Sequence, residues 1–218
     1  MDKEKAFPKR KHPRLDKYDY STAGAYFITL CTQNRKCVLS RVKMNNTNNS
    51  VGRGKAFTAH APAETHAPFE VQSKTNPPVG RGLAPAETHA PAEIHIAEIE
   101  YTDFGKIAEE QLLLLEERYS YLKIDRYVIM PNHIHVIFVL DYKTAGASPR
   151  PTVMDIVCAY KSLTTRECKR IGFSEKVFQT SFYEHIIRGR EDYEETVKYI
   201  YENPIRWHYD ELYAKGEE

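Results

Sequence analysis

The sequence predicts a mixed α/β fold in one domain. Three observations carry this. Residues 127–140 and 25–32 are runs of aromatic, β-branched and other apolar side chains of strand length. Residues 103–119 carry Ile107, Leu112, Leu114 and Leu115 at near-helical spacing. Two further helical patterns follow in the C-terminal half. The chain has 218 residues, enough for one or two domains with a buried core.

Residues 19–24 form a turn-rich lead-in to the first strand, 25–32. A turn follows at Gln33-Asn34-Arg35-Lys36, and Cys37-Val38-Leu39 begins a partner strand. From 45 to 94 the composition changes to Pro, Ala, Thr, Asn, Gly and His. Val51-Gly52-Arg53-Gly54 recurs at 79–82, and the segment 61–68 recurs at 84–91. The two spacings differ, which excludes a solenoid of fixed period. So little apolar surface cannot offset the entropy of ordering the chain, so the segment reads as a disordered insertion in a surface loop. Closure entropy grows only logarithmically with loop length, and a loop tolerates such an insertion. His60, His66, His89 and His95 read as by-products of the repeat.

The helix at 103–119 interleaves Glu109, Glu110, Glu116 and Glu117 with its apolar residues. Glutamates placed this way form the wet side of an amphipathic helix. The strand region 127–140 breaks at Pro131-Asn132, and residues 126–130 read as a separate strand. After a small-residue loop at 143–150, Thr152 and Asp155 are spaced as a capping box and open a helix. Its apolar stripe is Ile156, Val157, Tyr160 and Leu163, and Lys161, Arg166, Lys169 and Arg170 make it basic. Residues 177–183 read as a strand. The last helix runs from near Glu191 to about Asn203, because Pro204 disfavours helical geometry at the residue before it.

Net charge is only +1, so nucleic-acid binding must come from local patches. One such patch is Lys9-Arg10-Lys11-His12-Pro13-Arg14. The cysteines (Cys31, Cys37, Cys158 and Cys168) show no metal spacing and no disulfide framework, which fits a reduced cytosolic protein. No apolar run approaches 18 residues and the N-terminus lacks a signal-peptide core, so a soluble intracellular protein is expected.

The chemistry centres on His133-Ile134-His135. Side chains two apart on a strand share a face, so the two imidazoles supply half of a divalent-metal site. On the last helix, Tyr199 and Asn203 are four apart and also share a face. A carboxamide oxygen is a hard ligand for Mg²⁺ or Mn²⁺, and a phenol beside it would face whatever the metal polarises. Read separately, the histidines fit a structural pair, Tyr199 is one of 15 tyrosines, and Asn203-Pro204 is a helix stop. The combination matters only if strand and helix meet.

Met130-Pro131-Asn132-His133-Ile134-His135, taken with Tyr199-Ile200 and Asn203-Pro204, resembles the HUH single-tyrosine transposases, in their REP-associated tyrosine transposase branch. Matching segments follow in order: 19–27, 155–165 and 181–187. The resemblance covers about residues 10–42 and 98–208 and skips the insertion. It implies a ferredoxin-like (RRM-like) α+β fold: an antiparallel sheet, helices on one side and a C-terminal catalytic helix. It implies that Tyr199 is the nucleophile, and that His133, His135 and Asn203 are the ligands of Mg²⁺ or Mn²⁺. The substrate would be single-stranded or hairpin DNA of repetitive palindromic elements, cleaved and rejoined through a 5′-phosphotyrosine in the bacterial cytoplasm, at the nucleoid. Lys9, Arg10, Lys11, Arg14, Lys161, Ser162, Arg166, Lys169 and Arg170 are the expected nucleic-acid contacts. The resemblance leaves monomer and homodimer both open. Two other readings remain: a non-catalytic hairpin-binding protein, and a metal-dependent phosphodiesterase using activated water. His185 and His208 are extra imidazoles that could assist proton transfer or lie on the surface.

Overall fold

The structure, a computed structural model, describes residues 18–46, 95–141 and 151–213. The basic arm with Lys9, Arg10, Lys11 and Arg14, the loop 143–150, and all of the insertion except its first two residues lie outside these.

Nine elements follow in order: β1 (Gly24–Cys31), β2 (Ser40–Asn46), β3 (His95–Tyr101), α1 (Asp103–Arg118), β4 (Leu122–Ile129), β5 (His133–Leu140), α2 (Val153–Arg170), β6 (Tyr183–Ile187) and α3 (Arg190–Glu202). The main sheet has the order β4-β5-β1-β6 and is antiparallel throughout. With β2 and β3 set aside, this is the βαββαβ arrangement of a ferredoxin-like fold. The separate β2–β3 pair is an antiparallel ribbon inserted between β1 and α1.

Alternation along the strands sorts side chains to two faces. Tyr26, Ile28, Leu30, Ile134, Val136 and Phe138 point toward α1 and α2 and join Leu112, Leu115, Ile156 and Tyr160 in the larger core. Phe27, Val128, Met130 and Ile137 point the other way, toward Ile200 of α3 and Trp207. Helices therefore cover both faces: α1 and α2 one, α3 the other.

Local chemistry explains the helix starts. Thr152 and Asp155 make the expected reciprocal capping box on α2. Thr102 caps α1 by accepting from the Gly105 N–H, and its hydroxyl donates to the Val38 carbonyl at 2.6 Å. Gly105 is required where α1 meets the chain ahead of β2, since a Cβ there would sit 1.9 Å from the Leu39 carbonyl oxygen. The α1 glutamates are only partly a wet side, because Glu109 accepts from the Tyr127 hydroxyl at 2.8 Å and Glu116 from the Ile124 N–H at 2.6 Å.

Three expectations need correction. The partner strand starts at Ser40 rather than Cys37, because Val38 and Leu39 spend backbone groups on Thr102 and Pro131. A strand that the sequence reading did not place, β3, precedes α1, so the insertion joins the two strands of a ribbon, and residues 45–46 belong to β2. Residues 177–183 are not the strand. Phe178 makes one isolated bridge to Thr32, and the ladder with β1 begins at Tyr183. Among the described residues no helix is long and apolar enough to cross a membrane.

Candidate metal and tyrosine site

The turn between β4 and β5 is closed by the Met130 N–H donating to the His133 carbonyl at 2.8 Å. Asn132 holds this turn to its surroundings. Its carbonyl accepts from the Thr32 N–H at 2.9 Å, and its Nδ2 donates to the carbonyls of Arg35 at 3.3 Å and Leu212 at 2.8 Å. Its Oδ1 is thereby left as the acceptor for His133 Nδ1 at 2.8 Å. With the proton on Nδ1, the lone pair of His133 sits on Nε2. His135 Nδ1 meets the Thr29 hydroxyl at 2.9 Å, a pairing that equally allows Nε2 to be the basic nitrogen.

The register Cys31↔His133 and Thr29↔His135 puts both rings on the α3 face, with centroids 4.5 Å apart. Both are buried, and burial holds both well below the ordinary histidine range, so they are neutral at pH 7. Neutral imidazole is the form that ligates a metal.

Strand and helix do meet. The Tyr199 ring lies 5.0 Å from His135 and 6.0 Å edge-on from Phe27, centroid to centroid. Asn203 lies near enough to His133 and Tyr199 to bias the charge of each. Tyr199 is 46% exposed and opens into a cleft of about 1310 Å³. Burial first, then the Asp210 and Glu211 charges, push its pKa up to about 12.

Three buried ligand atoms have no hydrogen-bond partner among the described residues: His133 Nε2, His135 Nε2 and Asn203 Oδ1. Buried polar groups are rarely left so, and each costs about 1–3 kcal/mol. Two imidazole nitrogens and a carboxamide oxygen form a donor set able to hold a divalent cation; the imidazoles suit transition metals, and the carboxamide oxygen is the donor of the hard kind that Mg²⁺ and Mn²⁺ take.

Asp210 escaped the sequence reading. It follows the short 3₁₀ turn Trp207–Tyr209, and its carboxylate lies within 4.8 Å of the ligand atoms of both histidines. No local motif marks it. Only the fold of the chain after α3 brings it to the site.

The basic residues of α2 divide. Lys161 is buried, and its Nζ donates to the carbonyls of Gln179 at 2.9 Å, Thr180 at 3.2 Å and Ser181 at 3.0 Å. An ammonium has three protons, and all three are taken, so Lys161 clamps a loop and has none left for a phosphate. Burial lowers its pKa to about 8, which still leaves it charged at neutral pH. Ser162, Arg166 and Lys169 are exposed and line a shallow hollow together with Lys176 and Gln179. No local motif in the sequence marks Lys176. Arg170 is exposed and pairs with Glu167 at 2.7 Å. The hollow and the tyrosine cleft share Gln179 in their walls. His185 lines the cleft, paired to Asp192 at 2.7 Å, while His208 packs beside Tyr213.

No known protein-family model matches the chain. An uncharacterized protein of Haemophilus influenzae is 23% identical over 220 residues, covering 94% of this chain and 93% of that protein. A REP-associated tyrosine transposase of Escherichia coli is 29% identical over 84 residues, covering 38% of this chain and 45% of that protein. The solved structure of a REP-associated tyrosine transposase bound to a REP hairpin aligns at 17% identity with a TM-score of 0.49, over 90% of this chain and 76% of that one. The Escherichia coli relative supports the similarity to REP-associated tyrosine transposases that the motifs carry.

Proposed function

We propose that this chain is a single-domain, metal-dependent tyrosine transposase of the REP-associated kind. It cleaves single-stranded DNA beside a hairpin and rejoins it, at the nucleoid in the cytoplasm. One observation carries the reading: an open tyrosine stands against a buried histidine pair whose free nitrogens, with Asn203 Oδ1, lack partners. A structural histidine pair has no use for that arrangement.

His133, His135 and Asn203 would hold Mg²⁺ or Mn²⁺, which when bound withdraws charge from a non-bridging phosphate oxygen. Tyr199 supplies the nucleophile. Its Oη forms a bond to phosphorus while the bond from phosphorus to the 3′-oxygen breaks. The phenolic proton leaves, the 3′-oxygen takes up a proton, and a 5′-phosphotyrosine and a free 3′-hydroxyl result. The phosphodiester energy stays in the tyrosine link, so rejoining is the reverse attack by a 3′-hydroxyl and needs no nucleotide cofactor. With its pKa near 12, Tyr199 is protonated at neutral pH, so loss of its proton belongs to the barrier. The Tyr199 ring rests against Phe27 and His135, which stack on each other with centroids 5.2 Å apart, and this limits the positions from which the oxygen can attack.

Arg166, Lys169 and Lys176 offer cations for phosphates of the hairpin stem, and the unpaired strand passes Gln179 into the cleft. The tyrosine and both histidines come together within one chain, so Tyr199 is able to act in its own subunit.

Incubation with Mn²⁺ and hairpin DNA labelled on the 3′ side of the cleavage point tests the reading. The wild-type chain gives a covalent protein–DNA band and Tyr199→Phe gives none, with cleavage down on the order of 10⁶-fold. An adduct that persists in Tyr199→Phe refutes the nucleophile. Binding without cleavage would make the chain a hairpin binder, and cleavage without an adduct would make it a water-using phosphodiesterase.

A further inference from the structure

We propose that Asp210 is a ligand of the same metal, so that the bound ion fastens the chain after α3 onto the histidine strand. This rests on the metal-site reading above and adds to it a residue that lies outside the tyrosine helix.

Geometry comes first. The Asp210 carboxylate and the ligand nitrogens of His133 and His135 all lie within 4.8 Å of one another. Oxygen ligands of Mg²⁺ stand about 2.0–2.1 Å from the ion, so two opposite each other are about 4.2 Å apart and two at right angles about 3 Å. The 4.8 Å is the ceiling on the present spacing, and a bound ion draws the three groups inward. Capacity comes second. A carboxylate offers about four lone-pair positions. Asp210 Oδ2 accepts from Asn203 Nδ2 at 2.6 Å and Oδ1 from the Leu212 N–H at 2.6 Å, so each oxygen keeps one position. Charge comes third. Two imidazoles and a carboxamide are neutral, and hard cations are held best with a carboxylate oxygen in the set. Among the described residues, Asp210 is the acid grouped with both histidines.

The Asn203–Asp210 hydrogen bond joins the two oxygen ligands to each other. By taking Nδ2, it leaves the unpartnered Oδ1 of Asn203 as the atom free to ligate. The carbonyls of Glu211 and Leu212, next in the chain, are already tied to Arg35 at 3.2 Å and Asn132 at 2.8 Å. A metal on Asp210 would add a fourth tie to the same short stretch and link the cation to the order of residues 204–213.

Titration calorimetry with Mn²⁺ on the full chain, without DNA, tests this alongside amide hydrogen exchange. The wild-type chain binds one Mn²⁺, and exchange across 204–213 slows when it does. Asp210→Asn keeps the shape of the side chain; it binds Mn²⁺ at least about tenfold more weakly and loses the slowing. Equal affinity in Asp210→Asn, with the slowing retained, overturns the proposal and leaves the histidine site standing. Should Asp210→Asn fail to fold, the wild-type chain decides alone: Mn²⁺ binding with no change of exchange at 204–213 overturns the proposal. No binding by the wild-type chain removes the metal-site reading and this proposal with it.

Discussion

Along β5, neighbouring residues serve opposite ends. Ile134, Val136 and Phe138 enter the core under α1 and α2, where the sheet contributes tightly packed apolar side chains. His133 and His135, one residue away in each case, face α3, where Thr29, Asn132, Asn203 and Asp210 gather and three buried atoms lack partners. The first face gains free energy from every methylene it buries. The second gives some of it up by burying polar groups unpaired. One strand can do both because its side chains alternate, and the packed face keeps the other rigid enough to hold neutral imidazoles 4.5 Å apart.

The largest effect should come from breaking the packed face. Phe138→Ala removes a fully buried ring and costs about 3–5 kcal/mol, read as a lower urea midpoint. On the other face, Tyr199→Phe leaves stability within about 0.5 kcal/mol while ending adduct formation. A comparable loss of stability in both would erase the distinction.

Acid should expose the cost of the histidine face. Burial places the folded pKa of both imidazoles below the unfolded value of 6.5. As pH falls below about 6.5, the unfolded chain takes up protons that the folded chain refuses. Stability is therefore complete above that pH and drains below it, by up to about 1.4 kcal/mol per pH unit for each histidine, until the folded values are reached. Urea midpoints between about pH 5 and pH 7.5 measure this, and a His133→Leu/His135→Leu chain should show a flatter profile.

Thr29→Val keeps the shape of the side chain and removes the partner of His135 Nδ1. Mn²⁺ affinity should fall by about 10–100-fold through lost orientation, measured by calorimetry, with little change in the packed face. The smallest effects belong to the exposed end of α2. Lys169→Ala should alter stability by less than about 0.5 kcal/mol, while the slope of log affinity for hairpin DNA against log salt flattens by about one. Lys161→Met should reverse that pattern, lowering stability without touching the slope, because its cation is spent on three carbonyls.

Much of the fold was legible because its signals are local. The capping box of α2, the Pro131-Asn132 break, the histidine pair and the Tyr199–Asn203 spacing each depend on residues a few positions apart. Two strands were misread for identifiable reasons. In β3, Ala97, Ile99 and Tyr101 alternate with Glu98 and Glu100, a true strand signal hidden by its position at the edge of the repeat. At 177–183 the composition suits a strand, but pairing there stops at the Phe178–Thr32 bridge, beyond which the carbonyls of 179–181 turn to Lys161.

By itself the sequence determined which residues share a face: two imidazoles on a strand, a phenol and a carboxamide on a helix. That follows from the periods of the two backbones, 2.0 and 3.6 residues, and needs no partner. Only the tertiary structure decided that the faces meet, that Lys161 closes a loop instead of facing solvent, and that Asp210 joins the site. Those outcomes depend on packing between segments far apart in the chain: Asp210 is seven residues past Asn203 but stands against β5 because the turn after α3 folds back under it.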